Sequence, residues 1–207
     1  MANTTFSGPV RSKGGFTSIS ENASTGAITT LSSISSTGVA SFDANTLTTE
    51  AGTGITGGTG TVYKSSVQRV GGVITTTIFI DLTGLRSTAS GDIIGVNGTS
   101  NPCHIGQITA AQNGTIIAGS MECFEAPTGG DPDINVHSAT EGTGVEDGAI
   151  SSLSETLLVN SGDATLGSKV FFTAFPAADE FLYLTLGATT DADYTAGKLL
   201  ITLIGTA

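Results

Sequence analysis

The chain has 207 residues, of which 12% are charged and none is Trp, and Ser, Thr and Gly make up about two residues in five. Because Thr fits pleated strands and Gly permits tight turns, this composition favours an all-β chain over a helical one. The formal net charge of −11 argues against direct nucleic-acid binding, which needs a basic surface, and the scarcity of reactive side chains argues against an enzyme.

The first sixty residues differ from the rest in having few apolar side chains. Residues 1–20 are predicted to form an extended N-terminal arm, because the segment 7–15 has turn-forming residues at both ends and no apolar period. Residues 21–60 are rich in Ser, Thr and Gly, and we expect their strands to depend on a partner surface. The uncharged stretch 22–42 is too polar for a membrane helix. Without a secretory leader at the start, synthesis in the cytoplasm is expected.

The clearest local pattern is a β-hairpin in the middle of the chain. Segments 62–70 and 73–82 flank a glycine pair at 71–72, which is typical of a two-residue turn. This turn sets a register that pairs Val67 with Thr76. Apolar side chains then share one face, which we expect to cover the core: Tyr63, Val67, Ile74, Ile78, Ile80 and Leu82.

A second hairpin is predicted at Asn113-Gly114, the dipeptide most typical of a type I′ turn. Its register would place His104 beside Cys123, and it would set Cys103 and Cys123 on opposite faces. That arrangement argues against a disulfide, so we expect two reduced thiols.

One short helix is predicted over 152–159. Ser152 and Glu155 fit a capping box, and the leucines that follow form a helical stripe.

The chain closes with two segments, 181–186 and 199–204, that are apolar at nearly every position, as in strands buried on both faces. A loop is predicted between them, over 188–197. Eight or more short strands separated by loops predict an antiparallel β-sandwich, most simply a jelly roll, formed by residues 21–207 as a single domain.

Gly52 to Gly57 matches the G-x-G-x-x-G spacing of dinucleotide-binding loops. That site needs a helix directly after the loop, and the glycines at 58 and 60 disfavour one. We therefore interpret the segment as a flexible loop and predict no cofactor.

Oxygen ligands occur at the first, third and fifth positions of an EF-hand-like segment: Asp131, Asp133 and Asn135. The glycine and glutamate required at its sixth and twelfth positions are missing. The surrounding residues 122–147 still contain seven carboxylates, so these three residues form a candidate Ca²⁺ site. The alternative is a core-facing β-strand at 134–136 between solvated acidic loops.

The soft metal ligands are Cys103, His104, Cys123 and His137, and their spacing matches no zinc pattern. No resident metal is predicted from them.

Two parts of the chain resemble small structural proteins in virions of tailed bacteriophages, especially marine ones. One is the opening at residues 3–12, Asn-Thr-Thr-Phe-Ser-Gly-Pro-Val-Arg-Ser. The other comprises segments 171–180, 182–184 and 194–198 near the end.

The resemblance implies a capsid decoration, or cement, protein that forms a homotrimer and binds the major capsid protein lattice on the virion exterior. Such a protein is made in the cytoplasm of the bacterial host and has no enzymatic activity. We expect Arg11 and Lys13 in the arm to contact the capsid.

Two alternatives remain. A head-fibre, tail or receptor-binding component would carry an exposed tip, for which the acidic loops within 122–147 are the candidate. A secreted carbohydrate-binding module or adhesin is disfavoured by the missing leader and the lack of Trp.

Overall fold

A computed structural model describes residues 16–21, 28–34, 40–42 and 49–207. The chain divides into two compact units, 1–46 and 47–207, and the second is called the body below. Arg11 and Lys13, with residues 1–15 of the predicted arm, lie outside the described residues.

The described part of the first unit is a three-stranded antiparallel sheet in the order β1-β2-β3. Its strands are β1 (Phe16–Glu21), β2 (Ile28–Ile34) and β3 (Ala40–Phe42). Residues 16–20, placed in the arm by the sequence pattern, therefore belong to a strand.

The described residues of the body form eleven strands and three short helical segments. The strands are β4 (Val62–Val70), β5 (Val73–Asp81), β6 (Arg86–Ser87), β7 (Gly106–Gln107), β8 (Thr115–Thr128), β9 (Ile134–Ala139), β10 (Glu155–Val159), β11 (Lys169–Phe171), β12 (Phe181–Leu186), β13 (Ala192–Asp193) and β14 (Ala196–Thr206). The helical segments are α1 (Thr53–Thr56), α2 (Ala110–Asn113) and a 3-10 turn at Ile150–Ser152. Among the described residues, no helix has the length and apolar character needed to span a bilayer.

Two antiparallel sheets form the body, which confirms the predicted all-β sandwich. One has five strands in the order β11-β8-β14-β5-β4, and the other has four in the order β10-β9-β12-β7. A single apolar cluster contains residues of both, including Ile78 and Ile201 from the first and Val136 and Leu184 from the second. A small β13-β6 ladder lies beside them.

The β4-β5 hairpin confirms the prediction made from the glycine pair at 71–72. Val67 lies opposite Thr76 in the predicted register. On β5, Ile74, Ile78 and Ile80 are fully buried, because they occupy alternate positions that all face the core.

The second hairpin prediction is wrong, because Asn113 ends a helical turn. The Asn113 side chain is buried, accepts a hydrogen bond from the Thr109 backbone N–H at 2.8 Å and donates one to Thr76 Oγ1 at 2.8 Å. These bonds fix α2, and β8 then pairs with β14 and β11 instead of with the preceding segment.

The helix predicted over 152–159 is also wrong. The 3-10 turn ends at Ser152, and β10 begins at Glu155 and pairs with β9, with Leu157 opposite His137. Pairing with a long-range neighbour overrides the local helical pattern, because it buries Leu158 and Val159 completely.

The two apolar C-terminal segments form β12 and β14, as predicted. All of β12 is buried except the half-buried Phe181, whereas β14 alternates between buried and half-buried residues. Burial on both faces therefore holds for β12 only. The loop predicted over 188–197 includes β13 and the start of β14.

Candidate functional site

The segment with the candidate Ca²⁺ ligands leads into β9, where the alternative reading placed a core-facing strand. Asp131 Oδ1 accepts a hydrogen bond from the Asp133 backbone N–H at 2.9 Å. Asn135 Oδ1 accepts one from the Ser161 backbone N–H at 3.1 Å. Two of the three proposed ligand side chains thus accept hydrogen bonds from backbone N–H groups, and Ile134 and Val136 are fully buried.

Asp133 is the third candidate ligand. Its Oδ1 atom is buried and has no hydrogen-bond partner among the described residues. Burial raises the pKa of Asp133, and the carboxylates of Asp131 and Asp163 raise it further. Within the described ranges, no group of three or more His, Cys, Asp or Glu side chains is arranged to hold a metal ion. A Ca²⁺ site here therefore stays a prediction.

Both cysteines are buried and free. The Cys103 thiol donates a hydrogen bond to Asn101 O at 3.4 Å, and burial raises its pKa to about 12. Burial also raises the pKa of Cys123, whose thiol donates to Glu125 O at 3.2 Å. Because a thiolate is the reactive form, both groups are poor nucleophiles at neutral pH.

The histidines lie in separate surroundings. The ring centroid of His104 is 5.0 Å from that of Phe181, so His104 does not take the hairpin position beside Cys123. Burial lowers the pKa of His104. His137 Nδ1 lies 2.7 Å from Glu155 Oε2 on the neighbouring strand, in a pair that joins β9 to β10.

The glycine-rich segment at 52–57 is packed, so its interpretation as a flexible loop is wrong. The Gly52 N–H donates to His104 O and the Gly54 N–H donates to Pro102 O, each at 2.8 Å. A Cβ atom on Gly52 would lie 2.1 Å from Pro102 O. These glycines therefore permit close backbone approach, and α1, at four residues, buries Ile55.

An open cleft of about 550 Å³ lies around Arg86. The Arg86 guanidinium binds Asp191 Oδ1 at 2.7 Å and Asp193 Oδ1 at 2.9 Å. Glu146 Oε2 accepts a hydrogen bond from the Gly98 N–H at 2.9 Å, and burial raises the pKa of Glu146. Asp147, on the cleft wall, has a φ of 61°, in the left-handed region that non-glycine residues rarely adopt.

The acidic segment 122–147 is only partly a loop. Residues 122–128 belong to β8 and 134–139 to β9, so the exposed loops within it are 129–133 and 140–147. The second of these supplies Glu146 and Asp147 to the cleft.

Several apolar side chains of the described residues are exposed on the side of the five-stranded sheet that faces away from the core, here called the outer face. On β14, the side chains of this face lie between the buried Leu199, Ile201 and Leu203. Across the whole face the side chains are half-buried or exposed, except for Ser120 on β8. Among the described residues of the body, nine large apolar side chains are exposed. Six of them lie on strands of this sheet: Val62, Val70, Val73, Ile117, Phe124 and Phe171.

Two of these six are the extra residues of β-bulges in β8. The pairing with β14 skips Ile117 and Phe124, which are 52% and 53% exposed. Phe124 lines a depression of about 590 Å³ with Leu166 and Lys198. Phe171 on β11 is 68% exposed and lies under the Lys169 ammonium, 5.5 Å from the ring centroid.

The charged groups of the outer face balance. Lys169 binds Glu122 Oε1 at 2.6 Å, and Lys198 lies between Glu125 and Asp81. Lys64, opposite Phe79, is the remaining charge. The face thus carries three lysines and three carboxylates.

Comparison of the chain with protein-family models, with curated proteins and with solved structures finds no match.

Proposed function

We propose that this protein is a non-enzymatic structural component of a tailed-bacteriophage virion, which decorates and stabilises the capsid as a homotrimer. The observation that carries the proposal is the concentration of exposed apolar side chains on the outer face. Apolar patches of this kind mark protein-protein contact surfaces, and here the patch suits the contact between copies of the homotrimer. The resemblance of segments 3–12, 171–180, 182–184 and 194–198 to virion proteins supplies the capsid as the target of the oligomer.

A decoration protein fits the physical character of the body. Binding to a symmetric lattice uses many shallow contacts, and an oligomer strengthens them through avidity. A sandwich of two antiparallel sheets provides a rigid scaffold for such contacts.

Arg11 and Lys13 are proposed as further contacts with the major capsid protein. They lie in a first unit whose charges balance, whereas the body carries the net charge of −11. A cationic pair outside the acidic body suits an anionic patch on the shell.

The test mixes the purified full chain with capsids stripped of their accessory proteins. Saturable co-sedimentation at a fixed ratio, with a higher melting temperature of the shell, supports the decoration role. No binding at high protein concentration would contradict it. The double variant Arg11→Glu/Lys13→Glu should bind more weakly, whereas Arg69→Glu, which reverses an exposed body charge, should bind as the unaltered chain does.

A receptor-binding virion component is the second candidate, and the cleft around Arg86 favours it. The cleft presents carboxylates, a guanidinium and the Asn97 amide, which can bind sugar hydroxyls. Selective binding to a glycan array, abolished by Asp191→Ala, would support this candidate or a carbohydrate-binding module. An array without signal would count against both.

A further inference from the structure

We propose that the outer face is the surface through which copies of this chain associate, so that its occupant is a neighbouring copy of the same chain. This inference deepens the proposed function and rests on its homo-oligomer. It assigns the contact between copies to particular residues, which the resemblance does not do.

The residue types on β14 indicate that its outer side is covered when copies associate. The outer positions Leu200 and Ile204 are apolar although they remain half-buried, so β14 has the composition of a strand covered on both sides. Its inner side is covered by the core. A second protein surface on the outer side would bury these side chains and so match their exposure to their apolar character.

The two β-bulges of β8 also indicate a contact surface on the outer face. A bulge re-aims a side chain that regular pairing would direct elsewhere. Two bulges in β8 expose Ile117 and Phe124, and Phe171 projects from the adjacent strand between them, opposite Ser120. Exposed aromatic side chains on a rigid strand are typical anchors of a protein interface.

The distribution of charge over the body favours a neighbouring copy as the occupant of the outer face. Residues 49–207 contain sixteen carboxylates and five basic side chains. The outer face has three of each and is neutral, so the rest of the body carries all of the −11. Copies that met through their other surfaces would bring acid against acid, whereas outer faces meet without net repulsion. Lys64 binds no carboxylate among the described residues, which leaves it to pair with a carboxylate of the neighbour.

The size of the face approaches that of a stable interface. With strands about 4.8 Å apart and about 3.3 Å per residue, its four long strands β4, β5, β8 and β14 cover roughly 700 Å² before side-chain relief is added. A stable interface uses about 800 Å² from each partner. The short strand β11 and Leu166, which lines the depression beside Phe124, extend the face toward that value.

The test measures the mass of the full chain by sedimentation equilibrium over a range of concentrations. The unaltered chain should form an oligomer, with three times the 20.6 kDa monomer mass expected from the proposed function. Phe171→Glu should weaken association at least about 30-fold, because an aromatic anchor of an interface contributes about 2 kcal/mol or more and 1.4 kcal/mol is tenfold. Phe175→Glu, an exposed aromatic off the sheet, is the matched control and should associate normally.

Lys64→Glu should also weaken association, by less than Phe171→Glu does. Arg69→Glu is its matched control and should associate normally. Should Phe171→Glu fail to give a cooperative thermal transition, Phe124→Glu replaces it.

Three results would overturn the inference. The first is a monomeric unaltered chain. The second is normal association of Phe171→Glu, Phe124→Glu and Lys64→Glu. The third is an outer-face variant that keeps the oligomer but loses capsid binding, because that would assign the face to the shell. Capsid binding by the unaltered chain, measured separately, decides the decoration role whichever result is found.

Discussion

The two sheets of the body differ in how they are covered. Every residue of β9 and five of six in β12 are buried, so the centre of the four-stranded sheet is enclosed on both sides. In the five-stranded sheet, the central strand β14 alternates between buried and half-buried positions. The centre of the four-stranded sheet is therefore covered on both sides, whereas the five-stranded sheet is covered on one side and partly exposed on the other.

Loops complete the four-stranded sheet. The Tyr183 hydroxyl donates to Glu141 O at 2.7 Å and accepts from the Gly144 N–H at 3.2 Å. Backbone bonds from Ile94 to Leu184 O extend the pairing along β12. The outer face keeps its apolar side chains in solvent, which is why we assign it to a neighbouring copy.

The largest expected contrast is between two adjacent residues of β14. Ile201→Ala removes a fully buried side chain and should lower the free energy of unfolding by about 2–5 kcal/mol. Leu200→Ala, on the outer face, should lower it by less than half as much in the dissociated monomer. Urea denaturation at low protein concentration measures both, and equal losses would show that the outer face is already covered within one chain.

A glycine in the covering loop gives the next contrast. A Cβ atom on Gly144 would lie 2.6 Å from Ile93 Cδ1 and 2.9 Å from Tyr183 Cε1. Gly144→Ala should therefore cost about 1–3 kcal/mol through overpacking. Gly72→Ala, where nothing lies within 4 Å, should be nearly neutral in the same denaturation experiment. A neutral Gly144→Ala would mean that the loop does not press on the sheet.

Two threonine substitutions give a further contrast between the sheets, in which the change in the covered sheet raises the free energy of unfolding instead of lowering it. Thr185 Oγ1 on β12 is buried and has no hydrogen-bond partner among the described residues. Thr185→Val should raise the free energy of unfolding by about 1 kcal/mol, because it removes an unsatisfied polar group at nearly constant volume. Thr202→Val on the outer face should change it little. A destabilised Thr185→Val would reveal a hydrogen bond at that hydroxyl.

The smallest effect concerns Asp133, where the chain enters β9. Its raised pKa means that the folded state favours the protonated carboxyl, so ionisation at neutral pH disfavours folding. Asp133→Asn should therefore be slightly more stable than the unaltered chain at pH 7. This advantage should shrink as the pH falls through the raised pKa toward the ordinary value. Denaturation curves at several pH values test this, and a pH-independent difference would contradict it.

Local signals predicted part of the fold well. The glycine pair at 71–72 joins strands that are adjacent in sequence, so turn chemistry and alternation fix the β4-β5 register. Asn113-Gly114 is an equally strong turn signal, but the Asn113 side chain bonds to Thr76, 37 residues away, and stabilises a helical turn instead. The sequence contains no local sign of that long-range contact.

Pairing at long range also limits what could be predicted about the outer face. The C-terminal segment 199–204 indicated a strand buried on both sides, and only the alternating burial of β14 in the folded sheet shows that one side is partly exposed. The two bulges depend on the register with β14, so exposure of Ile117 and Phe124 could not be derived from β8 alone. The strand that the alternative interpretation placed at 134–136 is present as part of β9, but Ser161, the backbone partner of Asn135, lies 26 residues away along the chain.

The most direct measurement is hydroxyl-radical footprinting of the full chain at increasing protein concentration, with phenylalanine modification read by mass spectrometry. Our account predicts that Phe171 and Phe124 become protected as copies associate, while Phe175 stays equally reactive. Unchanged labelling of Phe171 and Phe124 at concentrations where the oligomer is present would contradict the assignment of the outer face.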